Sequence, residues 1–192
     1  MDRLLVCARG FEKLLHTKYR MVIGRKGVLK EITLTFTPLD FHHLMGLGKL
    51  KDLHIASQNR QIVFDNILRG RLKDTVISKS RYYDEIVNRF SHLFDIETIL
   101  DSNELIFRYN RDQQKFSKIE ADYLLSTPHS NVDVYLFINR NKETDTYFCR
   151  SFFPREDKDY TVGQAVWTLL YKEKIDLLTG KSVIQLDKLS PR

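Results

Sequence analysis

Thr37-Pro38-Leu39-Asp40-Phe41-His42-His43-Leu44-Met45-Gly46-Leu47-Gly48-Lys49-Leu50-Lys51 opens with a helix-start signal and ends on two glycines. Thr37 stands at the N-cap, Pro38 at the first helical position and Asp40 at the third. Gly46 and Gly48 then stop the helix. A short helix carrying His42 and His43 thus lies between the apolar run Ile32–Phe36 and the pair Lys49 and Lys51. Histidine changes charge near neutral pH, and lysine holds phosphate. No other stretch of the chain puts that chemistry together so tightly.

Helical geometry separates the two histidines. Each residue advances by about 100°. Phe41, Leu44 and Met45 share one face, which is expected to be buried. His42 borders that face, whereas His43 projects away from it. Adjacent helical residues diverge, so the two rings cannot converge on one ligand. His43 is the functional candidate and His42 a flanking residue.

Working outward, Tyr19–Gly24 and Val28–Phe36 read as strands joined by Arg25-Lys26-Gly27. Before them, residues 3–17 read as an amphipathic helix with Leu4, Ala8, Phe11 and Leu15 on one face. After the histidine helix, residues 58–69 look helical, with Val63, Phe64, Ile67 and Leu68 inside and Gly70 at the end. Ser78–Phe94 carries the clearest apolar stripe and is expected to be one long helix. From residue 96 the texture changes to strands: Glu97–Leu100, Glu104–Tyr109, Ile119–Leu125, Val132–Ile138 and Thr146–Phe153. A strand or helix follows near Val166–Tyr171, then a hairpin through Thr179-Gly180. The expected class is α+β, with N-terminal helices and a hairpin followed by an antiparallel meander. Residues 1–192 are expected to form a single domain, mostly helical and basic to residue 95 and mostly strand after it.

The formal charge is +6, and it is uneven. Residues 1–95 carry 17 Lys and Arg against 10 Asp and Glu, while residues 96–192 carry 14 against 15. The whole basic excess lies in the first half, which fits a polyanion such as nucleic acid. Two cysteines, Cys7 and Cys149, make no disulfide framework. No apolar run is long enough for a membrane span, and the start lacks the apolar core of a signal peptide. A cytoplasmic protein with no membrane partner is the expectation.

Cleaving RNA without a metal needs a general base, a general acid and a cation facing the charged phosphorane. His43 suits the base or the acid. Lys49, Lys51 and Arg81 are candidate phosphate contacts, with Lys30 a further one. In Cys149-Arg150-Ser151-Phe152-Phe153, a regular strand turns Arg150 and Ser151 to opposite sides, so only one of them can face a cleft. Other chemistries lack support. Gly24-Arg25-Lys26-Gly27 does not have phosphate-loop spacing. Nothing beside Cys149 activates a thiol that could pair with His43. The histidines show neither HxxxH nor HExxH spacing, so no metal site and no cofactor is expected.

The run Asp40-Phe41-His42-His43-Leu44-Met45-Gly46-Leu47 resembles the F-x-H-L-x-G box of a phage-associated nuclease family. That family belongs to the group named after barnase, EndoU, colicins and RelE. Phe64–Leu72 resembles its next block, and Ala121–Leu125 and Arg150–Pro154 are similar to its later strands. Together these matches span roughly residues 30–175, and their order carries the likeness. The resemblance places the family's histidine on His43 and its strand Ser/Thr on Ser151. It implies a barnase/RelE-like fold, metal-independent RNase activity and origin in a phage or mobile element. The chain departs from the box at Met45, where a threonine often stands.

The expected function is therefore a ribonuclease-like protein. His43 would be the acid or base, Ser151 or Arg150 would meet the scissile phosphate, and lysines would hold the backbone. RNA is the expected partner, and the toxin-like cast of the reading adds an inhibitor or antitoxin-like protein. The alternative is a non-catalytic RNA-binding or protein-interaction module on a nuclease-like scaffold, which needs only a charged face with exposed aromatics.

Overall fold

Eight strands and six α-helices are described in a computed structural model covering residues 1–115 and 117–190. Helix α1 (Arg3–Glu12) leads through the tight turn Lys13–His16 into β1 (Thr17–Arg25) and β2 (Val28–Leu34). Lys26 and Gly27 hold positive φ of 49° and 78°, the left-handed pair that a two-residue hairpin turn requires. Tightening after Glu12 buries Leu14 rather than the expected Leu15. Helices α2 (Pro38–Met45) and α3 (Arg60–Leu68) follow, then the short helices α4 (Asp74–Ile77), α5 (Phe90–Leu93) and α6 (Ile96–Ser102). The remaining strands are β3 (Leu105–Arg108), β4 (Tyr123–His129), β5 (Val132–Arg140), β6 (Tyr147–Pro154), β7 (Ala165–Asp176) and β8 (Ser182–Asp187).

The sheet runs β1-β2-β6-β5-β4-β3-β7-β8, and β7 also pairs with β1. Seven strands therefore close into a barrel, with β8 paired to the C-terminal part of β7, from Tyr171 to Ile175. The simple antiparallel meander expected from the sequence is corrected in two ways. The N-terminal hairpin is part of the ring, because β1 pairs with the long β7 from Thr17↔Asp176 to Gly24↔Thr168. The ring is also mixed, since β2 meets β6 in parallel at Leu34↔Tyr147. Both pairings join residues more than a hundred positions apart, which local alternation cannot reveal.

Strand alternation explains how the barrel is filled. On β1 the residues Tyr19, Met21 and Ile23 are buried at period two. On β5 five consecutive residues, Val134–Ile138, are buried. Val134, Leu136 and Ile138 enter the main core with the helices. Tyr135 and Phe137 join Phe107, Tyr109 and Leu124 in a second cluster on the opposite face. Ile119 and Ala121, expected at the start of a strand, instead pack over that second cluster. A strand covered on both faces reads as a continuous apolar run.

Two helical expectations are also corrected. Ser78–Phe94 is not one helix but the tight turns Tyr83–Glu85 and Val87–Arg89 followed by α5. Asp, Asn, Val and paired Tyr are weak helix formers, and their side chains are drawn into tertiary bonds. Tyr83 donates to Asp74 at 2.6 Å, and Asn88 donates to Glu156. Conversely, Glu97–Leu100 is helix and not strand. Ile96, Ile99 and Leu100 are buried at helical spacing. Buried Lys172 of β7 donates to the carbonyls of Leu100, Asp101 and Asn103 at 2.6–2.9 Å. A cation at a helix C-terminus satisfies its orphan carbonyls and opposes the dipole.

Candidate functional site

Helix α2 starts as its sequence dictates. Asp40 Oδ2 accepts from the Thr37 backbone N–H at 2.6 Å and from its hydroxyl at 2.9 Å. The helix stops at Gly46, whose φ is 75°. A Cβ there would stand 2.8 Å from Ile86 Cγ2 and 3.0 Å from the Arg89 guanidinium carbon. Gly46→Ala is expected to destabilise the fold by about 1–2 kcal/mol from the left-handed backbone alone, read as a lower melting temperature. An unchanged melting curve would show that this turn relaxes freely.

Arg89 secures the same helix end. It is 4% exposed, and its Nη1 donates to Leu44 O at 2.7 Å and His43 O at 3.4 Å. Phe41, Leu44 and Met45 are wholly buried, as the helical face required. The position of the family's frequent threonine is thus a core position in this chain.

His42 and His43 part as expected. The ring of His42 is buried, with Nε2 3.3 Å from Ile55 O. His43 is half-buried, and α2 packs against β6. The His43 Nε2 accepts from Arg60 Nη1 at 2.8 Å. A guanidinium only donates, so Nε2 carries the lone pair and Nδ1 the proton. Burial first, then the charges of Arg60 and Arg150, lower the His43 pKa to about 4. The imidazole is therefore neutral at pH 7. Arg60 was not among the sequence candidates. Its one signal is its place as the first residue of the helix after the Asn59 cap.

On β6, the expectation that Arg150 and Ser151 face opposite sides is corrected. Phe137 pairs with Ser151 and Ile138 with Cys149, leaving Arg150 as the extra residue of a bulge. Cys149 and Phe152 are both wholly buried in the main core, while Arg150 is exposed and Ser151 half-buried. Both candidates therefore leave the core face, and neither choice excludes the other. The buried thiol of Cys149 is pushed well above its usual pKa, and that of Cys7 to about 12, which suits neither to nucleophilic work.

Beside this cluster lies a cavity of about 550 Å³, and Lys49, Arg89 and Ser151 are among the residues that line it. Lys49 Nζ is 3.6 Å from the Glu85 carboxyl group. His43, Arg60 and Arg150 are not in the cavity wall. They join it through Ser151, the neighbour of Arg150, and through Arg89, the donor to the His43 carbonyl. Lys51 and Arg81 are exposed on an adjoining edge, where Asp52 accepts from Ser80 Oγ and the Arg81 backbone. Arg81 lies over its neighbour Tyr82. Lys30 pairs with Ile23 on the hairpin, four residues from the point where β2 meets β6, and joins neither group. Among the described residues no three His, Cys, Asp or Glu side chains gather as a metal site, and no helix is long and apolar enough to cross a membrane.

No curated protein and no solved structure matches the chain. The profile of one family, described as phage-Barnase-EndoU-ColicinE5/D-RelE like nuclease4, matches residues 3–189. That span takes in α2, the bulge on β6 and the whole barrel, so the likeness carried by the histidine box extends over nearly the full chain. The chain belongs to this family of nuclease-like proteins.

Proposed function

We propose that the chain is an endoribonuclease that cleaves RNA without a metal ion, with His43 as general base. The observation that carries this reading is the Arg60–His43 contact at 2.8 Å, set against Arg150 on β6. A neutral imidazole flanked by two guanidinium groups has the components of phosphate-ester chemistry. An entering phosphate draws the Arg60 fork to its oxygens, a bidentate match. Nε2 is then free and takes the proton of the ribose 2′-hydroxyl. The 2′-oxygen attacks phosphorus, and the 5′-oxygen leaves and takes a proton from water. Arg150 and the Ser151 hydroxyl face the charged phosphorane. Lys49, with Lys51 and Arg81 on the adjoining edge, holds the flanking backbone.

Purified protein incubated with end-labelled RNA in EDTA should leave a 2′,3′-cyclic phosphate and a 5′-hydroxyl. Loss of cleavage on chelation, or ends without a cyclic phosphate, would remove this mechanism. A second reading has one observation in its favour: Arg60 already occupies the Nε2 lone pair. A non-catalytic RNA-binding module would bind RNA with steep salt dependence and leave it intact.

A further inference from the structure

We propose that His92, His129 and Asp95 form a pH-sensitive latch that ties the β4–β5 hairpin to α5 and α6 and lets go in acid. It stands apart from the nuclease reading, since neither histidine lines the cavity. His129 is the last residue of β4, before the turn Ser130-Asn131 with φ of 53° and 66°. His92 lies on α5, which follows directly on Arg89, and Asp95 immediately precedes α6. His92 is buried, at 6% exposure. Its Nδ1 stands 2.9 Å from Nδ1 of His129, and His129 Nε2 donates to Asp95 Oδ2 at 3.1 Å. The ring centroids are 5.2 Å apart, so the rings meet end to end along the Nδ1–Nδ1 line. That is the alignment of a hydrogen bond through one proton, because lone pairs that meet head on do not converge on a metal ion.

The contacts fix the number of protons. Asp95 as a carboxylate only accepts, so His129 Nε2 carries a proton, and one more lies between the two Nδ1 atoms. A first added proton is tolerated. It goes to His92 Nε2, and the shared proton moves to His129 Nδ1, which places the charge beside Asp95. A second would put an N–H on both Nδ1 atoms, and two donors cannot bond. The pair therefore titrates as a coupled unit. Burial first, then the charge of His129, lower the His92 pKa from its ordinary value. Once released, both rings titrate near about 6.5 and hold two added protons in acid. The contribution of the latch is thus present above that value and lost as pH falls below it. Neighbouring charges are already paired. Glu97 and Asp101 of α6 bond Lys174, Asp133 and Arg140 of β5 bond Arg155 and Asp145, and Arg108 of β3 bonds Asp122. Among the described residues, α1, α2 and β6 pack on α5 and set no charge against His92.

The test is an NMR titration of the histidine rings in the whole protein, from about pH 8 to about pH 4.5, a window around the ordinary histidine value. Amide protection is followed at Asp95 and Ile99, whose N–H groups donate to His92 O and Asp95 O. In the wild type this protection should fall by up to about tenfold per pH unit below about 6.5, the slope of one excluded proton. The amides of β1, remote from the latch in the sheet order, should lose less. His92→Asn keeps a hydrogen-bonding group near the Nδ1 position but cannot gain a charge, so it should flatten the pH dependence. Without any variant, the wild-type rings should take up their two protons in separate steps. Two rings that titrate independently at ordinary values, or protection that falls equally in His92→Asn, would overturn the latch.

Discussion

His43→Ala should lower RNA cleavage by about 10²–10⁴-fold, the usual contribution of one general base. His42→Ala should instead act on stability. His42 is 3% exposed and bonded near the Ile55 carbonyl, so its loss leaves a gap and an unpaired acceptor. A cost of about 1–3 kcal/mol is in keeping with such sites, read as a lower melting temperature with cleavage largely retained. The two variants measured together, on labelled RNA and by thermal melting, separate chemistry from packing. Cleavage by His43→Ala at the wild-type rate would remove His43 as the base. A dead but normally folded His42→Ala would transfer the role to the wrong side of the helix and defeat the geometric argument.

Arg60→Ala should produce the next largest effect, and its sign is opposite for pKa and for rate. The Arg60 charge disfavours the imidazolium of His43, whose pKa lies at about 4. Its removal therefore raises that pKa toward the ordinary histidine value, by only part of the difference because burial is the larger cause. In the pH profile of kcat/KM, which reports the free enzyme, the acidic limb should move upward from its position near 4. Meanwhile the plateau should fall by about 10²–10³-fold through loss of a phosphate-facing donor. Arg60→Lys keeps the charge without the planar fork, so it should hold the limb low and recover only part of the rate. Both are read from kcat/KM between pH 3.5 and 8, a window set by the His43 value, with the His43 ring followed by NMR titration. An acidic limb that does not move in Arg60→Ala would show that Arg60 does not act on His43 in solution.

The histidine helix was legible in the chain itself. Its cap, its glycine stop and the divergence of His42 from His43 follow from residues within ten positions of one another, where local sterics and hydrogen bonding decide. The β1–β2 turn and the hairpin between β7 and β8 follow in the same way. Family membership was also legible, because it rests on the order of short boxes rather than on their packing.

What only the tertiary structure decided depends on groups far apart in sequence. Ile96–Ser102 is a helix in part because Lys172, some seventy residues on, donates to its terminal carbonyls. The apolar stripe of Ser78–Phe94 breaks into turns because Tyr83 accepts from Arg3, Asn88 donates to Glu156 and Arg89 donates to Leu44, each far off in sequence. The barrel closes through β1–β7 and β2–β6, pairings that no local alternation encodes. At the candidate site, the bulge at Arg150 turns a choice between two residues into a pair, and Arg60 meets His43 across a seventeen-residue separation. Periodicity assigns a side chain to a face only while the ladder is regular. One extra residue in a strand, or one guanidinium from another helix, changes what that face can do.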